Sequence, residues 1–219
     1  MPLKKPRISE TAAGIQDPAA AKLYDRLARQ LRDLGWNGVR EMLSAGLGPG
    51  ALLELDPGPG YLGLELARQL GSRSLTGCVV NPTMLHIAQK NATEYGLPAN
   101  YVLGSTMDLP FPDGSFDCVV SNGSLHEWET PRLVFDEIWR VLRPGGRFCI
   151  TDLRRDTAVW KQWLMCLFVR SRPLRAGLRA SLAAAYTVPE VAAILRQTHL
   201  ADAQVRRTYL GLCAWGVKS

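Results

Sequence analysis

The chain has 219 residues, of which 47% are hydrophobic and 21% charged. That length suits one globular domain, and the balance excludes a disordered or fibrous chain. No apolar run approaches the ~20 residues of a membrane-spanning helix; the longest, Trp163 to Val169, is followed directly by Arg170. The opening MPLKKPRISE lacks the apolar stretch of a secretory signal. Five scattered cysteines (Cys78, Cys118, Cys149, Cys166, Cys213) form no CxxC pair. They read as small buried hydrophobes in a reducing, cytoplasmic compartment. No Cys/His cluster has zinc-site spacing, so no metal is expected. Net charge is +6, and five of the excess charges fall between Thr157 and Pro189, where no acid occurs. This is one basic segment rather than a nucleic-acid footprint spread over the chain.

Asp17-Pro18 is an N-cap followed by a proline suited to a first helical turn. Apolar residues at Ala20, Leu23, Tyr24, Leu27, Ala28, Leu31 and Leu34 continue a helical stripe over 17–34. Ala51 to Leu55 reads as a strand, DPGPG as a loop, and Tyr61 to Leu70 as a helix. Leu75 to Val80 reads as a second strand, and Asn81-Pro82 opens a helix to about Ala92. Tyr101 to Leu103 is a short third strand, LPFPDGS a turn-rich connection, and Phe116 to Val120 a fourth strand. Thr130-Pro131 opens another helix, which Arg143-Pro144-Gly145-Gly146 stops before a strand over Arg147 to Thr151. A helical insert covers about 156–185, and Thr187-Val188-Pro189-Glu190 reads as a capping box. Two β-like runs, about 203–210 and 212–218, close the chain. Alternating strands and helices predict an α/β, doubly wound, Rossmann-like sheet of seven strands. It is mostly parallel, with a C-terminal antiparallel hairpin. A ligand is expected at the carboxyl ends of the strands, beside the first.

Gly58, Gly60 and Gly63 spell GxGxxG between a strand and a helix. Nicotinamide enzymes and S-adenosylmethionine enzymes share this pattern. Pro57 and Pro59 remove two backbone donors that a pyrophosphate wants. Between Gly71 and Gln89 there is no acid to hold a dinucleotide ribose. The loop is stiff, permits close approach and is poor in donors, which suits a methionine tail and sulfonium.

The run LLELDPGPGYLGLELA resembles motif I of class I S-adenosylmethionine-dependent methyltransferases. GCVVNPTMLHIAQKNA, LPFPDGSFDCVVSNGSLHEWETP and FDEIWRVLRPGGRFCITDLRRD resemble their second, fourth and fifth strand regions. The pattern is most similar to the ubiquinone/menaquinone-biosynthesis type that methylates small molecules. The resemblance implies a single methyltransferase domain over 1–219, with S-adenosylmethionine as cofactor. Glu54 matches the acid that engages the methionine amino group, and Gly58 and Gly60 match the glycines under the methionine part. Asp56 stands where the family usually has glycine. The ribose acid falls on Val79, with Asn81 two residues on as a partial substitute. Val80 and Met84 match apolar residues around the adenine. The acid or amide reading the adenine falls on Ser105, flanked by Thr106 and Met107, and Asn122 matches a position near the methionine end. The departures at Asp56, Val79 and Ser105 leave a second reading open, a methyltransferase-like protein that does not catalyse.

Methyl transfer asks for in-line positioning and, for some acceptors, a base. His126, after the fourth strand, is placed either to be that base or to orient its loop. Glu127 is expected to face solvent, and His86 and His199 read as structural or surface residues. No D/N-P-P-Y/F follows the fourth strand, so nucleic-acid amines are disfavoured as acceptors, and a small organic molecule, apolar or anionic, is favoured. Trp160, Trp163, Leu164, Leu167 and Phe168 of the insert fall at helical spacings. Three readings stand for it: a helix packed on the core, a lid over an apolar substrate, or a basic, aromatic helix making transient contact with a membrane surface.

Overall fold

A computed structural model describes residues 6–8, 15 and 17–219. Helix α1 (Pro18–Asp33) starts as the sequence requires. The Asp17 carboxylate accepts from the backbone N–H groups of Ala19 and Ala20, 3.3 and 2.9 Å away, a cap worth about 1 kcal/mol. A six-residue helix, α2 (Val39–Ser44), follows a turn through Gly35 and Gly38. It is too short to carry a periodic signal and is not expected from the sequence. Then come β1 (Ala51–Leu55), α3 (Tyr61–Leu70), β2 (Ser74–Val79), α4 (Pro82–Tyr95), β3 (Ala99–Leu103), β4 (Phe116–Asn122) and α5 (Pro131–Val141). The remaining elements are β5 (Leu142–Leu153), α6 (Val159–Phe168), α7 (Arg172–Ala184), α8 (Val188–Leu195), β6 (Gln204–Arg207) and β7 (Gly211–Val217). Arg143 to Gly146 ends α5 as expected but lies within β5, which is longer than the predicted strand.

The seven strands form one sheet in the order β3-β2-β1-β4-β5-β7-β6. The first five are parallel, and β7 runs antiparallel between β5 and β6. The closing hairpin is therefore present, with its second strand on the inside. Both sheet faces are covered. Leu53, Leu55, Val119, Phe148 and Ile150 pack with Phe135 and Ile138 of α5 and Val191 of α8. Leu52, Leu75, Val79 and Val120 pack with Leu62 and Leu66 of α3, Met84 and Ala88 of α4, and Ala21 of α1. The LPFPDGS connection is pinned by Arg140, which donates to the carbonyls of Leu109 and Phe111 and to Glu137 and Asp113. Glu190 accepts from the Thr187 N–H at 2.8 Å, the predicted return bond of the capping box, and also holds Arg155. That arginine keeps the Glu190 carboxyl down at about 2.

The insert is helical as expected, as α6 and α7. Trp160, Trp163, Leu164, Leu167 and Phe168 are not the residues that pack it, for all five are exposed. Gln162, Cys166 and Val169 face the protein instead. No single helix among the described residues is long and apolar enough to cross a membrane.

Candidate active site

Parallel register brings the predicted residues to one edge. Glu54 and Leu55 of β1 lie beside Gly77 and Cys78 of β2, with Glu54 also beside Val120 of β4. Val79 lies beside Leu103, and Asn122 beside Thr151. The carboxyl ends of β1 to β5 thus gather the glycine loop, the Ser105 turn, the His126 loop and the end of β5.

The glycine loop is built around a buried acid. Glu54 is 1% exposed, and its Oε2 accepts from the Gly63 N–H at 3.1 Å. A Cβ at Gly63 would overlap that carboxylate, so the third glycine of GxGxxG makes room for Glu54. Burial, with Asp56 nearby, pushes the Glu54 carboxyl up to about 8. Gly58 and Gly60 have φ of 53° and 84°, which glycine adopts without strain. A Cβ at Gly60 would lie 2.6 Å from the Tyr101 hydroxyl. That hydroxyl is buried without a hydrogen-bond partner, and burial together with Glu54 raises its pKa.

Asp56 is the one non-glycine residue with positive φ among the described residues, at 48°. Its Oδ2 accepts from Trp128 Nε1 at 3.0 Å, while Oδ1 is buried with no partner. Burial pushes its carboxyl up to about 6. Tyr24 of α1 lies over this loop: its ring is 3.3 Å from where a Gly58 Cβ would stand. Burial, then Glu127, Asp152 and Glu54, push the Tyr24 hydroxyl up to about 12. The N-terminal helix is thus a wall of the site.

His126 is 3% exposed. Its Nδ1 lies 2.9 and 3.0 Å from the two oxygens of Asp152, and its backbone N–H donates to Asp152 Oδ2 at 2.7 Å. A carboxylate only accepts, so the geometry assigns the proton to Nδ1 and leaves Nε2 as the acceptor nitrogen. Glu127 is half-buried rather than turned to solvent, with Oε1 3.8 Å from His126 Nε2. Arg7 donates to the His126 carbonyl at 2.9 Å and to the Ala184 carbonyl, tying the N-terminal segment to this loop. Asp152 is the site residue that sequence reasoning missed. A signal existed: alternation along β5 puts Asp152 in register with buried Phe148 and Ile150, where a charge is out of place.

The residues expected around a nucleoside are plainer. Val79 is buried among apolar residues, Val80 is 44% exposed and Met84 is buried. Asn81, the expected partial substitute for a ribose acid, has both ends of its amide engaged. Its Oδ1 caps α4 by accepting from Thr83 and Met84, and its Nδ2 donates to the Ile15 carbonyl at 2.8 Å. Ser105 is exposed, with Oγ accepting from the Met107 N–H. Thr106 is buried, and Met107 is half-buried against the core. Asn122 Oδ1 accepts from Thr151 Oγ at 2.7 Å. His86 is exposed on α4, and His199 stacks on Trp139 at 4.6 Å. Two open clefts lie away from this edge. One of about 470 Å³ is lined by Arg32, Arg40, Glu65 and Arg68, the other of about 300 Å³ by Asp117, Arg143 and Arg147.

A sheet of this order with an antiparallel β7, and a glycine loop after β1 with a buried acid ahead of it, define a Rossmann-like methyltransferase fold. Residues 53–150 match the methyltransferase domain family. Demethylmenaquinone methyltransferase of Thermus thermophilus is 33% identical over 135 residues, 60% of this chain and 61% of that protein. Phthiotriol/phenolphthiotriol dimycocerosates methyltransferase of Mycobacterium tuberculosis is 36% identical over 145 residues, 65% of this chain and 48% of that protein. The chain thus matches about half to three fifths of the length of these curated relatives. Among solved structures, the plantazolicin methyltransferase in complex with SAH superposes with a TM-score of 0.72 at 16% identity, covering 92% of this chain and 91% of that one. The chain is similar to class I S-adenosylmethionine-dependent methyltransferases, and its curated relatives include enzymes of the quinone-biosynthesis type.

Proposed function

We propose that the carboxyl edge binds S-adenosylmethionine and that the protein methylates a small organic acceptor carrying an ionisable hydroxyl or an acidic carbon. The observation that carries this reading is the buried His126–Asp152 pair beside the glycine loop. When bound, the cofactor supplies a methyl group on a positively charged sulfur, open to attack by a nucleophile.

The residues present fit that group on its methionine side. Glu54 offers a buried carboxylate to an ammonium, Asp56 Oδ1 is an unpartnered buried acceptor, and Gly58 and Gly60 allow close approach. On the nucleoside side Val80, Met84, Thr106 and Met107 offer mainly apolar surface, and Val79 offers no acceptor, so affinity is expected to be modest. Asn122, fixed by Thr151, borders the methionine end. Tyr24 closes the site from above, with α1 as a wall and the 156–185 insert as its rim. His126 Nε2 takes the proton from the acceptor as its nucleophile forms. Asp152 holds the ring through Nδ1 and stabilises the imidazolium, a positioning role. The Thermus and mycobacterial relatives are named for organic acceptors, demethylmenaquinone and phthiotriol or phenolphthiotriol dimycocerosates, which supports an organic rather than macromolecular acceptor here. A reducing cytoplasm is the proposed location, supported by five buried, free cysteines.

The test is transfer of labelled methyl from S-adenosylmethionine to a panel of phenols, quinols and carbon acids. At least one is expected to be methylated. His126→Ala should lose about 10²- to 10⁴-fold in rate while keeping its melting temperature and its affinity for S-adenosylhomocysteine. Binding of S-adenosylhomocysteine without transfer to any acceptor would overturn the catalytic half of this reading.

A further inference from the structure

The outward half of α6 carries no polar side chain. Val159, Trp160, Trp163, Leu164, Leu167 and Phe168 are 42–74% exposed. At about 100° per residue they span one side of the helix. On the other side, Gln162 donates to the carbonyls of Arg155 and Thr157, and Cys166 is buried. The helix is amphipathic in the inverse sense, with its apolar face turned to solvent. Nor is the patch confined to one element: Trp36, itself 58% exposed, packs against Phe168 with ring centroids 5.1 Å apart and the rings tilted at 47°. A contiguous apolar surface of this kind marks an interaction site rather than scattered exposure.

The charge around the patch decides between occupants. Arg170 follows α6 after a single residue, Val169, and Arg172 and Arg179 stand exposed on α7. No acid occurs from Thr157 to Pro189. Exposed tryptophans flanked by cations fit the interface of an anionic bilayer, where aromatic side chains sit at the headgroup level and basic residues meet lipid charge. A self-complementary contact would bring like-charged segments together. The ten-residue helix is about 15 Å long, enough to lie in the interface and too short to span it.

The patch also borders the site. Asp152, one residue from the end of β5, lies seven residues before α6 begins, and Trp36 is two residues from Gly38. A Cβ at Gly38 would lie 3.1 Å from Asn122 Oδ1 and 3.3 Å from Thr151 Oγ, so Gly38 lies against the carboxyl edge of β4 and β5. We infer that α6 and Trp36 rest on an anionic lipid surface, with the carboxyl edge turned toward the bilayer so that an apolar acceptor can enter from it. Binding to lipid needs no methyl transfer, so this inference and the proposed activity can fail independently.

The experiment is flotation of the full chain with phosphatidylcholine vesicles, with and without phosphatidylglycerol, alongside light scattering of the protein alone. Binding to the anionic vesicles is expected, weakening as salt screens it. Trp163→Ser with Leu167→Ser should lower partitioning by about 100-fold or more, since two large apolar anchors are lost. Arg172→Gln with Arg179→Gln should lower it about 30-fold on anionic vesicles only. Far-UV circular dichroism checks that each pair folds, and either pair alone can decide the matter. Absence of flotation, or flotation unchanged in either folded pair, would overturn the inference. So would a dimer that the Trp163/Leu167 pair dissolves while no vesicle binds, which would assign the patch to a second copy.

Discussion

Replacing Asp56 by glycine tests how the loop is built, because the carboxyl there is both strained and buried. Its carboxyl is pushed up from 3.8 to about 6. Between those values the folded protein holds more protons than the unfolded chain, so stability falls as pH rises through that window. Above it the full penalty remains, about two pH units or ~3 kcal/mol. The left-handed φ of 48° adds about 1 kcal/mol of strain. Against these, Asp56→Gly leaves Trp128 Nε1 without its acceptor, at about 1–3 kcal/mol. Added backbone freedom costs a further ~0.5–1 kcal/mol. Near pH 4 the acid is neutral in the folded state and only about half ionised in the unfolded chain, so most of the penalty is absent, the losses dominate, and the variant should be less stable by about 1 kcal/mol. Near pH 7 it should be more stable by about 1 kcal/mol. The firmer quantity is the swing of about 2 kcal/mol between the two, because the hydrogen-bond and entropy effects cancel in it. Asp56 also raises Glu54, so its removal shifts the swing in the same direction. Urea unfolding at both pH values measures it. An equal difference from wild type at both would refute the argument that burial of this charge governs the loop.

Glu54, raised to about 8, is mostly protonated at neutral pH, whereas a bound ammonium favours the carboxylate. Affinity for S-adenosylhomocysteine should therefore rise about tenfold per pH unit up to that value. About one proton should be released on binding, read by calorimetry in buffers of different ionisation enthalpy. Proton-neutral binding would remove Glu54 from the ligand. Asp152→Asn keeps an acceptor for the backbone but weakens the hold on His126. It should cut the methylation rate about 100-fold and move the pH–rate profile, with S-adenosylhomocysteine affinity unchanged; an altered affinity with an unmoved profile would make Asp152 merely structural. Val79→Asp should restore a ribose acceptor and raise affinity by up to roughly 100-fold, and Val79→Asn by less. No gain in calorimetric titration of either variant would mean that this position does not face the ribose.

The sheet and its helices were legible because their signals are local: caps at Asp17 and Asn81, the glycine loop, and the capping box at Thr187. Helix α2 was not, since six residues cannot show a period and tertiary packing of Val39 and Met42 decides its form. The site was half legible. Spacing led to His126, but its partner Asp152 is 26 residues away and meets it only through the pairing of β4 with β5. Asn81 looked available to a ligand because sequence does not reveal that a cap and Ile15 both engage its amide. The α6 aromatics matched a buried helical stripe, and only their outward orientation separates the membrane reading from the core reading.

A crystal structure of the protein with S-adenosylhomocysteine tests the central claim most directly. The ligand's methionine end should lie against Gly58 and Gly60, its ammonium at Glu54, and its sulfur on the side of the site that holds His126. A ligand seated instead in the cleft lined by Arg32, Arg40 and Arg68, with the glycine loop unengaged, would contradict it.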